Sequence, residues 1–294
     1  MTYSEIWHRI ATSYDDGEAR AIARILIEEL FGLSYADIVC GATEQLSADD
    51  TLRLDTAVRR IEQGEPLQHV LGYADFCGNR FCVNGSVLIP RPETEWLVDE
   101  GAKLMNGCIA SDETQHKAPH SPKRILDIGT GSGCIAISLK LRLGDAYVEA
   151  WDISEEALRT AQDNADALKA EVVFRKRDAL RADNTAAPWD LIVSNPPYIC
   201  DSERSAMDDN VLLHEPHTAL FVPDDDPLRF YRAIARYALL TLNTGGSLLF
   251  ECNTRYAEAT GTMLRDMGFE EVTVSDDCFN LPRFVRGRKN SHNQ

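Results

Sequence analysis

The sequence predicts an α/β protein, an open sheet alternating with helices and preceded by a small helical region. Three stretches carry that expectation. Residues 190–194 hold a short apolar run (Leu191, Ile192, Val193) of the kind a strand buried on both faces shows, and Asn195-Pro196-Pro197-Tyr198 follows at once. Ile125-Leu126-Asp127-Ile128 is a second such run; it leads into Gly129-Thr130-Gly131-Ser132-Gly133 and an apolar helix that starts at Cys134. A third run, 146–151, ends at Asp152, about twenty residues after the first glycine, where an acid meets ribose hydroxyls in nucleoside-binding units.

In chain order, apolar residues recur at helical spacing over 6–30, with Ile22, Ile25, Leu26 and Leu30 in one stripe. A second helix is marked by Ser47 as N-cap, by Leu54, Ala57, Val58 and Ile61 on one face, and by Gly64 and Pro66 as stop signals. These stripes read as core. Over 67–89 the texture changes to glycines, aromatics and β-branched residues (Gly72, Tyr73, Phe76, Gly78, Phe81, Val83, Val87), which suggests a β-hairpin joining two domains. Pro90-Arg91-Pro92-Glu93-Thr94-Glu95 reads locally as a rigid linker and helix cap, with Trp96, Leu97 and Glu100 continuing the helix. Residues 107–123 are polar, with His116, Pro119, His120 and Pro122, and are expected to form a surface loop.

Beyond Asp152 a helix over 155–168 precedes a strand over 172–174, and Asp178 lies just past it. A carboxylate there suits either a hydrogen bond from an adenine amino group or a solvated loop acid. After the strand that ends at Asn195 come a loop over 200–209, a helix over 230–242, a strand over 247–251, a short helix over 263–269, and strands over 271–274 and 284–285. Arg283, Arg286, Arg288 and Lys289 read as a solvated basic tail. His214 and His217 lack a third partner at metal-ligand spacing, so no metal is expected.

The 294 residues are 44% apolar and 26% charged, as in a globular protein with a substantial core. No stretch has the apolar length of a membrane span, and Met1-Thr2-Tyr3-Ser4-Glu5 lacks the basic start of a signal peptide; a cytoplasmic protein is expected. The eight cysteines are scattered without a Cys-x-x-Cys, which points to reduced, mostly apolar fillers rather than a zinc site or disulfide framework. A formal charge of −17 repels polyphosphates and favours a basic protein partner.

Two prolines after Asn195 force the chain out of the sheet at its carboxyl end, where open α/β sheets bind ligands. Asn195 there offers a donor and an acceptor, Pro196 a free carbonyl and Tyr198 a flat ring, a set able to grip a planar amide or amidine nitrogen. The same residues also suit an ordinary strand-to-loop exit. The glycine turn fits a nucleoside cofactor, and spacing alone does not separate NAD from S-adenosylmethionine. Gly-x-Gly-x-Gly departs from the dinucleotide pattern, however, and a carboxylate at Asp127 beside the turn is expected to repel phosphate and attract a sulfonium or ammonium centre.

Taken together, the glycine turn, Asp152 and Asn195-Pro196-Pro197-Tyr198 resemble the class I S-adenosylmethionine-dependent methyltransferases. More narrowly the chain resembles the HemK/PrmC family, which methylates the side-chain amide nitrogen of the glutamine in the Gly-Gly-Gln loop of peptide chain release factors. Gly64-Glu65-Pro66-Leu67-Gln68, residues 76–83, 88–95 and 127–139, Asp152-Ile153-Ser154, residues 195–199 and Glu215-Pro216 carry the resemblance over most of the chain. It implies a Rossmann-like seven-stranded sheet with an antiparallel final hairpin, in three parts: an N-terminal helical domain that helps hold the release factor (1–66), a β-hairpin linker (67–92) and a catalytic domain (93–294). It assigns Gly129, Thr130, Gly131, Ser132 and Gly133 to the methionine part of the cofactor, Asp152 to the ribose, Asp178 or Ala179 to the adenine, and Asn195 to both cofactor and substrate. Asn195, Pro196, Pro197 and Tyr198 would hold the substrate, with Asn195, Pro196 and Tyr198 as the catalytic set. Phe221-Val222-Pro223-Asp224 and Glu251-Cys252-Asn253 depart from the usual family residues and are expected to stand clear of that motif.

A glutamine amide nitrogen is a weak nucleophile because its lone pair is delocalised. Hydrogen bonds from its N–H groups to the Asn195 oxygen and the Pro196 carbonyl would orient it and stabilise the positive charge that develops during in-line attack, while Tyr198 packs on the amide. Two other readings are an adenine amino-group methyltransferase acting on nucleic acid and a nucleotide-binding regulatory module without catalysis. The charge of −17 and the lack of a basic stripe count against the first. A monomer without stable nucleic-acid binding is expected.

Overall fold

A computed structural model describes residues 1–110, 122–182 and 188–290. Most of the loop expected over 107–123, including His116, Pro119 and His120, lies outside them. The elements follow the order α1 (Tyr3–Ile10), α2 (Asp16–Phe31), α3 (Tyr35–Val39), α4 (Ala48–Glu62), α5 (Leu67–Leu71), β1 (Tyr73–Phe76), β2 (Asn79–Cys82), α6 (Glu95–Ala110), β3 (Arg124–Ile128), α7 (Cys134–Leu143), β4 (Tyr147–Asp152), α8 (Glu155–Leu168) and β5 (Val172–Lys176). Then come β6 (Trp189–Ser194), β7 (Ile199–Cys200), α9 (Asp209–His214), α10 (His217–Leu220), β8 (Phe221–Val222), α11 (Arg229–Thr241), β9 (Leu242–Glu251), α12 (Ala257–Asp266), β10 (Phe269–Asp276) and β11 (Pro282–Lys289). Two compact units result. One comprises Met1–Tyr73, Val83–Gly85 and Met207–Glu215; the other comprises Ala74–Cys82, Ser86–Ala206 and Pro216–Gln294.

The first unit is helical around a core of Ile6, Ile10, Leu26, Ile27, Leu54, Val58 and Ile61. Helical spacing over 6–30 hides a break. Thr12 turns its hydroxyl back onto the Arg9 carbonyl, and Asp15 accepts from the N–H groups of Gly17 and Glu18, so short polar side chains end α1 and cap α2. Helix α4 runs as expected from the Ser47 cap to just before Gly64, whose φ is +83°. Arg9 joins α1 to α4 with a fork onto Glu62 and a third bond to Asp55, each at 2.7 Å. Residues 67–71 are helical rather than strand: Leu67, Val70 and Leu71 pack on this core, and Gly72 closes the turn at φ +82°. The hairpin strands are confined to β1 and β2.

The second unit is built on a seven-stranded sheet in the order β10-β11-β9-β6-β3-β4-β5, parallel except for β11, which is antiparallel to both neighbours. Successive residues alternate between two cores. Ile125, Leu191, Val193 and Leu249 face the side of α6, α7 and α8, whereas Leu126, Ile128, Ile192, Leu248 and Phe250 face α11 and α12. Burial on both faces explains the unbroken apolar runs in the sequence.

The expected basic tail is not a solvated end. Its residues lie in β11, hydrogen-bonded on both sides, and each cation has a partner: Arg283 with Asp277, Arg286 with Glu100, Arg288 with Glu271, and Lys289 with the Leu242 carbonyl. Residues 201–206, expected in a loop, form a 3-10 turn. Strand order reverses at β3, which has β4 on one side and β6 on the other. A crevice therefore opens beyond the carboxyl ends of these strands.

Candidate active site

Three strand ends converge on that crevice. β3 delivers the glycine turn, β4 delivers Asp152, and β6 delivers Asn195. β3 and β6 are held in step where the Ser194 hydroxyl donates to the Ile128 carbonyl at 2.6 Å. The turn needs its glycines: Gly129, Gly131 and Gly133 have φ of +79°, +55° and +83°, values that L side chains rarely adopt. The N–H groups of Gly129 and Thr130 both donate to the Trp151 carbonyl, and that of Gly131 donates to Asp152 at 2.9 Å, so the turn folds back onto the end of β4.

A cavity of about 350 Å³ lies there, lined by Gly129, Gly131, Asp152, Asp178, Ala179, Asn195, Pro196 and Pro197 among the expected residues. Ile128, Ile153, Leu180, Phe230 and Ile234 supply apolar walls that the sequence did not single out. The volume and the mix of apolar wall with a few polar groups suit a small organic ligand. Asp152 also accepts from the Ser154 N–H. Burial pushes its pKa up, and the N–H groups of Ser154, Gly131 and Ile153 pull against that shift. Asp178 caps the 3-10 turn Ala179–Arg181 by accepting from the Leu180 N–H at 2.9 Å, a local role that coexists with its place in the wall.

Other expected residues stand behind the turn. The Thr130 hydroxyl donates to Asp127, the Ser132 carbonyl accepts from Asn164, and Gly133 backs onto Ile137 and Ala161. Asp127, expected to attract a cationic centre, is not among the residues that line the cavity. It lies on the α7 face of β3 with Ile125, fully buried, and burial raises its carboxyl to about 7.

Tyr198 also stands outside the cavity lining. Its hydroxyl donates to Glu251 at 3.2 Å, and burial followed by the Glu251 charge raises its pKa. Glu251, at the end of β9, is buried and receives the Thr94 hydroxyl at 2.7 Å; Thr94 in turn lies 3.4 Å from Asn195 Nδ2. Burial raises the Glu251 pKa, opposed by the Thr94 bond, Arg283 and the Tyr198 bond in that order. Sequence reasoning missed this pair, reading Thr94 as part of a linker. Its available signal was an acid closing a buried strand, the same signal that marked Asp152.

The two departing segments do touch the central motif. Asn253 Nδ2 donates to the Tyr198 carbonyl at 3.2 Å, the Tyr198 N–H donates to the Leu220 carbonyl at 3.2 Å, and Ile199 pairs with Phe221. Among the described residues, no group of three His, Cys, Asp or Glu side chains is placed to hold a metal ion. No helix there is long and apolar enough to cross a membrane.

Comparison with known proteins places these features in context. Residues 8–72 match the PrmC N-terminal domain and residues 95–220 the methyltransferase small domain. The chain is 43% identical to the release factor glutamine methyltransferase of Bacteroides thetaiotaomicron, over 94% of this chain and 95% of that protein. It is 36% identical to the protein of the same name from Flavobacterium psychrophilum, over 94% of each. Among solved structures, the hMettl16 catalytic domain in complex with the MAT2A 3'UTR hairpin 6 aligns at a TM-score of 0.52 and 17% identity over 84% of each chain, a likeness of fold alone.

Proposed function

The chain belongs to the release factor glutamine methyltransferase family, and from that premise we propose that it moves a methyl group from S-adenosylmethionine to the side-chain amide nitrogen of a release-factor glutamine, that of the Gly-Gly-Gln loop. The fold is that of the class I S-adenosylmethionine-dependent methyltransferases. The observation that carries the reading is that Asn195 and Pro196 line the same cavity as Gly129, Gly131 and Asp152.

The cavity fits such a cofactor. Gly129 and Gly131 have no side chain to obstruct close approach at the turn, Asp152 suits ribose hydroxyls, and Ile153, Ala179 and Leu180 offer apolar surface to a flat base, with Asp178 in the same lining. The bound cofactor supplies an electrophilic methyl group on a sulfonium centre.

Asn195 Oδ1 and the Pro196 carbonyl accept the two N–H bonds of the glutamine carboxamide, which fixes its plane and leaves the nitrogen lone pair directed along the line of attack. As positive charge grows on nitrogen, both acceptors strengthen their hold, so the interaction is larger in the transition state than in the ground state. No strong base is required before transfer, because the proton is shed afterwards: the methylated nitrogen gives up one of its two N–H protons to solvent and becomes a neutral N-methyl amide. Tyr198 holds the motif from behind through Glu251, and Pro197 closes the wall.

The helical first unit is assigned to recognition of the release factor, and the net charge of −17 suits a basic protein surface better than a nucleic-acid backbone. The enzyme is assigned to the cytoplasm, where release factors act, and to a monomeric state. Incubation with labelled S-adenosylmethionine and either release factor or DNA tests the reading. Label on the release-factor glutamine supports it, and label on DNA alone overturns it.

A further inference from the structure

We infer that Thr94 and Glu251 are positioning residues that fix which end of the Asn195 carboxamide faces the substrate. The inference rests on the proposal that Asn195 accepts a hydrogen bond from the glutamine amide. β9 neighbours β6, and Phe250 pairs with Ser194, so Glu251 and Asn195 leave the sheet side by side. Glu251 is enclosed by protein, with 1% of its surface exposed. Two hydroxyls converge on its two oxygens: Thr94 on Oε2 at 2.7 Å and Tyr198 on Oε1 at 3.2 Å. That pattern matches a carboxylate, which accepts only.

A threonine hydroxyl has one proton. Committed to Glu251, it leaves Thr94 Oγ1 as an acceptor, and Asn195 Nδ2 donates toward it at 3.4 Å. The opposite rotamer of the amide would set Oδ1 against the lone pairs of Thr94, two acceptors facing one another with no proton between them. The chain Glu251, Thr94, Asn195 therefore has one polarity. It keeps the asparagine NH₂ on the protein side and Oδ1 as the open acceptor, the end that an incoming N–H requires. The spacing at Asn195 is long for a hydrogen bond, as catalytic contacts often are before substrate binds.

The main-chain setting is equally specific. Pro92–Thr94 is a 3-10 turn in which the Thr94 N–H donates to the Arg91 carbonyl, which holds Thr94 in place beneath the motif with 3% of its surface exposed. Such fixed acceptors and donors are what orient a catalytic amide without reorganisation during the reaction.

The test uses the full chain, labelled S-adenosylmethionine and release factor, with kcat, KM and cofactor affinity measured for four variants. Thr94→Val keeps the shape and removes the proton. Glu251→Gln keeps the shape and adds a donor that lets Thr94 give its own proton to Asn195 Oδ1. Each is expected to lower kcat about tenfold or more with cofactor Kd within about twofold of the parent, whereas Thr94→Ser restores the hydroxyl and keeps kcat within about threefold. The inference is overturned if Thr94→Val and Glu251→Gln both keep kcat within about threefold, or if Thr94→Ser falls as far as Thr94→Val. Glu251→Gln decides alone if Thr94→Val does not fold. Asn195→Ala separates the levels: if it retains full kcat, the underlying proposal fails, and if it is inactive while the other variants are normal, only the positioning chain fails.

Discussion

The Gly131 N–H donates to the Asp152 carboxylate over 2.9 Å, so the turn after β3 and the acid that ends β4 form one hydrogen-bonded unit. Ser154 takes the other oxygen at the same distance. Asp152→Ala removes the acceptor for two backbone donors and the group proposed to meet the ribose. Cofactor affinity is expected to weaken by about tenfold to a hundredfold, read by calorimetry, with kcat at saturating cofactor much less affected. An unchanged Kd would remove Asp152 from the ribose.

Asn195→Ala separates binding from chemistry in the opposite direction. Its carboxamide is proposed to act on the substrate nitrogen, so kcat is expected to fall by at least about a hundredfold while cofactor Kd changes little. Equal loss of both would make Asn195 a cofactor residue instead.

The strand ends were legible because each buried strand is a short apolar run that ends where the residue type changes: glycine at 129, the acid Asp152, and two prolines after Asn195. The contacts behind the motif were not legible. Thr94 and Glu251 are 157 residues apart, and no local pattern predicts that a linker threonine meets the end of a strand. Apolar periodicity likewise passed over the break between α1 and α2, because Thr12 and Asp15 act through their own backbone and leave the spacing intact. Charge misled at β11. Arginines on a strand near the end of the chain look solvated until their acids, Glu100 and Glu271 among them, are brought in from other elements.

Gly133 tests the turn itself. A Cβ there would lie 2.8 Å from Ile137 Cδ1 and 3.1 Å from Ala161 Cβ, at a φ of +83°. Gly133→Ala combines left-handed strain with overpacking and is expected to cost roughly 2–4 kcal/mol of stability, seen as a lower urea midpoint at unchanged m. Gly131→Ala shares the positive φ, but its Cβ would meet nothing within 4 Å, so it should cost less. Equal losses would show that packing against Ala161 contributes nothing.

Asp127 makes stability depend on pH. In the folded protein burial holds its pKa at about 7, against an ordinary value of 3.8 when the chain unfolds. The folded state thus keeps a proton that the unfolded state has released, and this contribution is full below about pH 4 and is lost as pH rises to about 7. The gap between the two values corresponds to roughly 4 kcal/mol lost across that window. A carboxamide in place of this carboxyl cannot ionise and still offers an oxygen to the Thr130 hydroxyl. Asp127→Asn is therefore expected to flatten this part of the profile and to compare better with the parent at pH 8 than at pH 4. Urea unfolding from pH 4 to 8 checks it. Parallel profiles for the two proteins would mean that the Asp127 carboxyl ionises alike in the folded and unfolded chain.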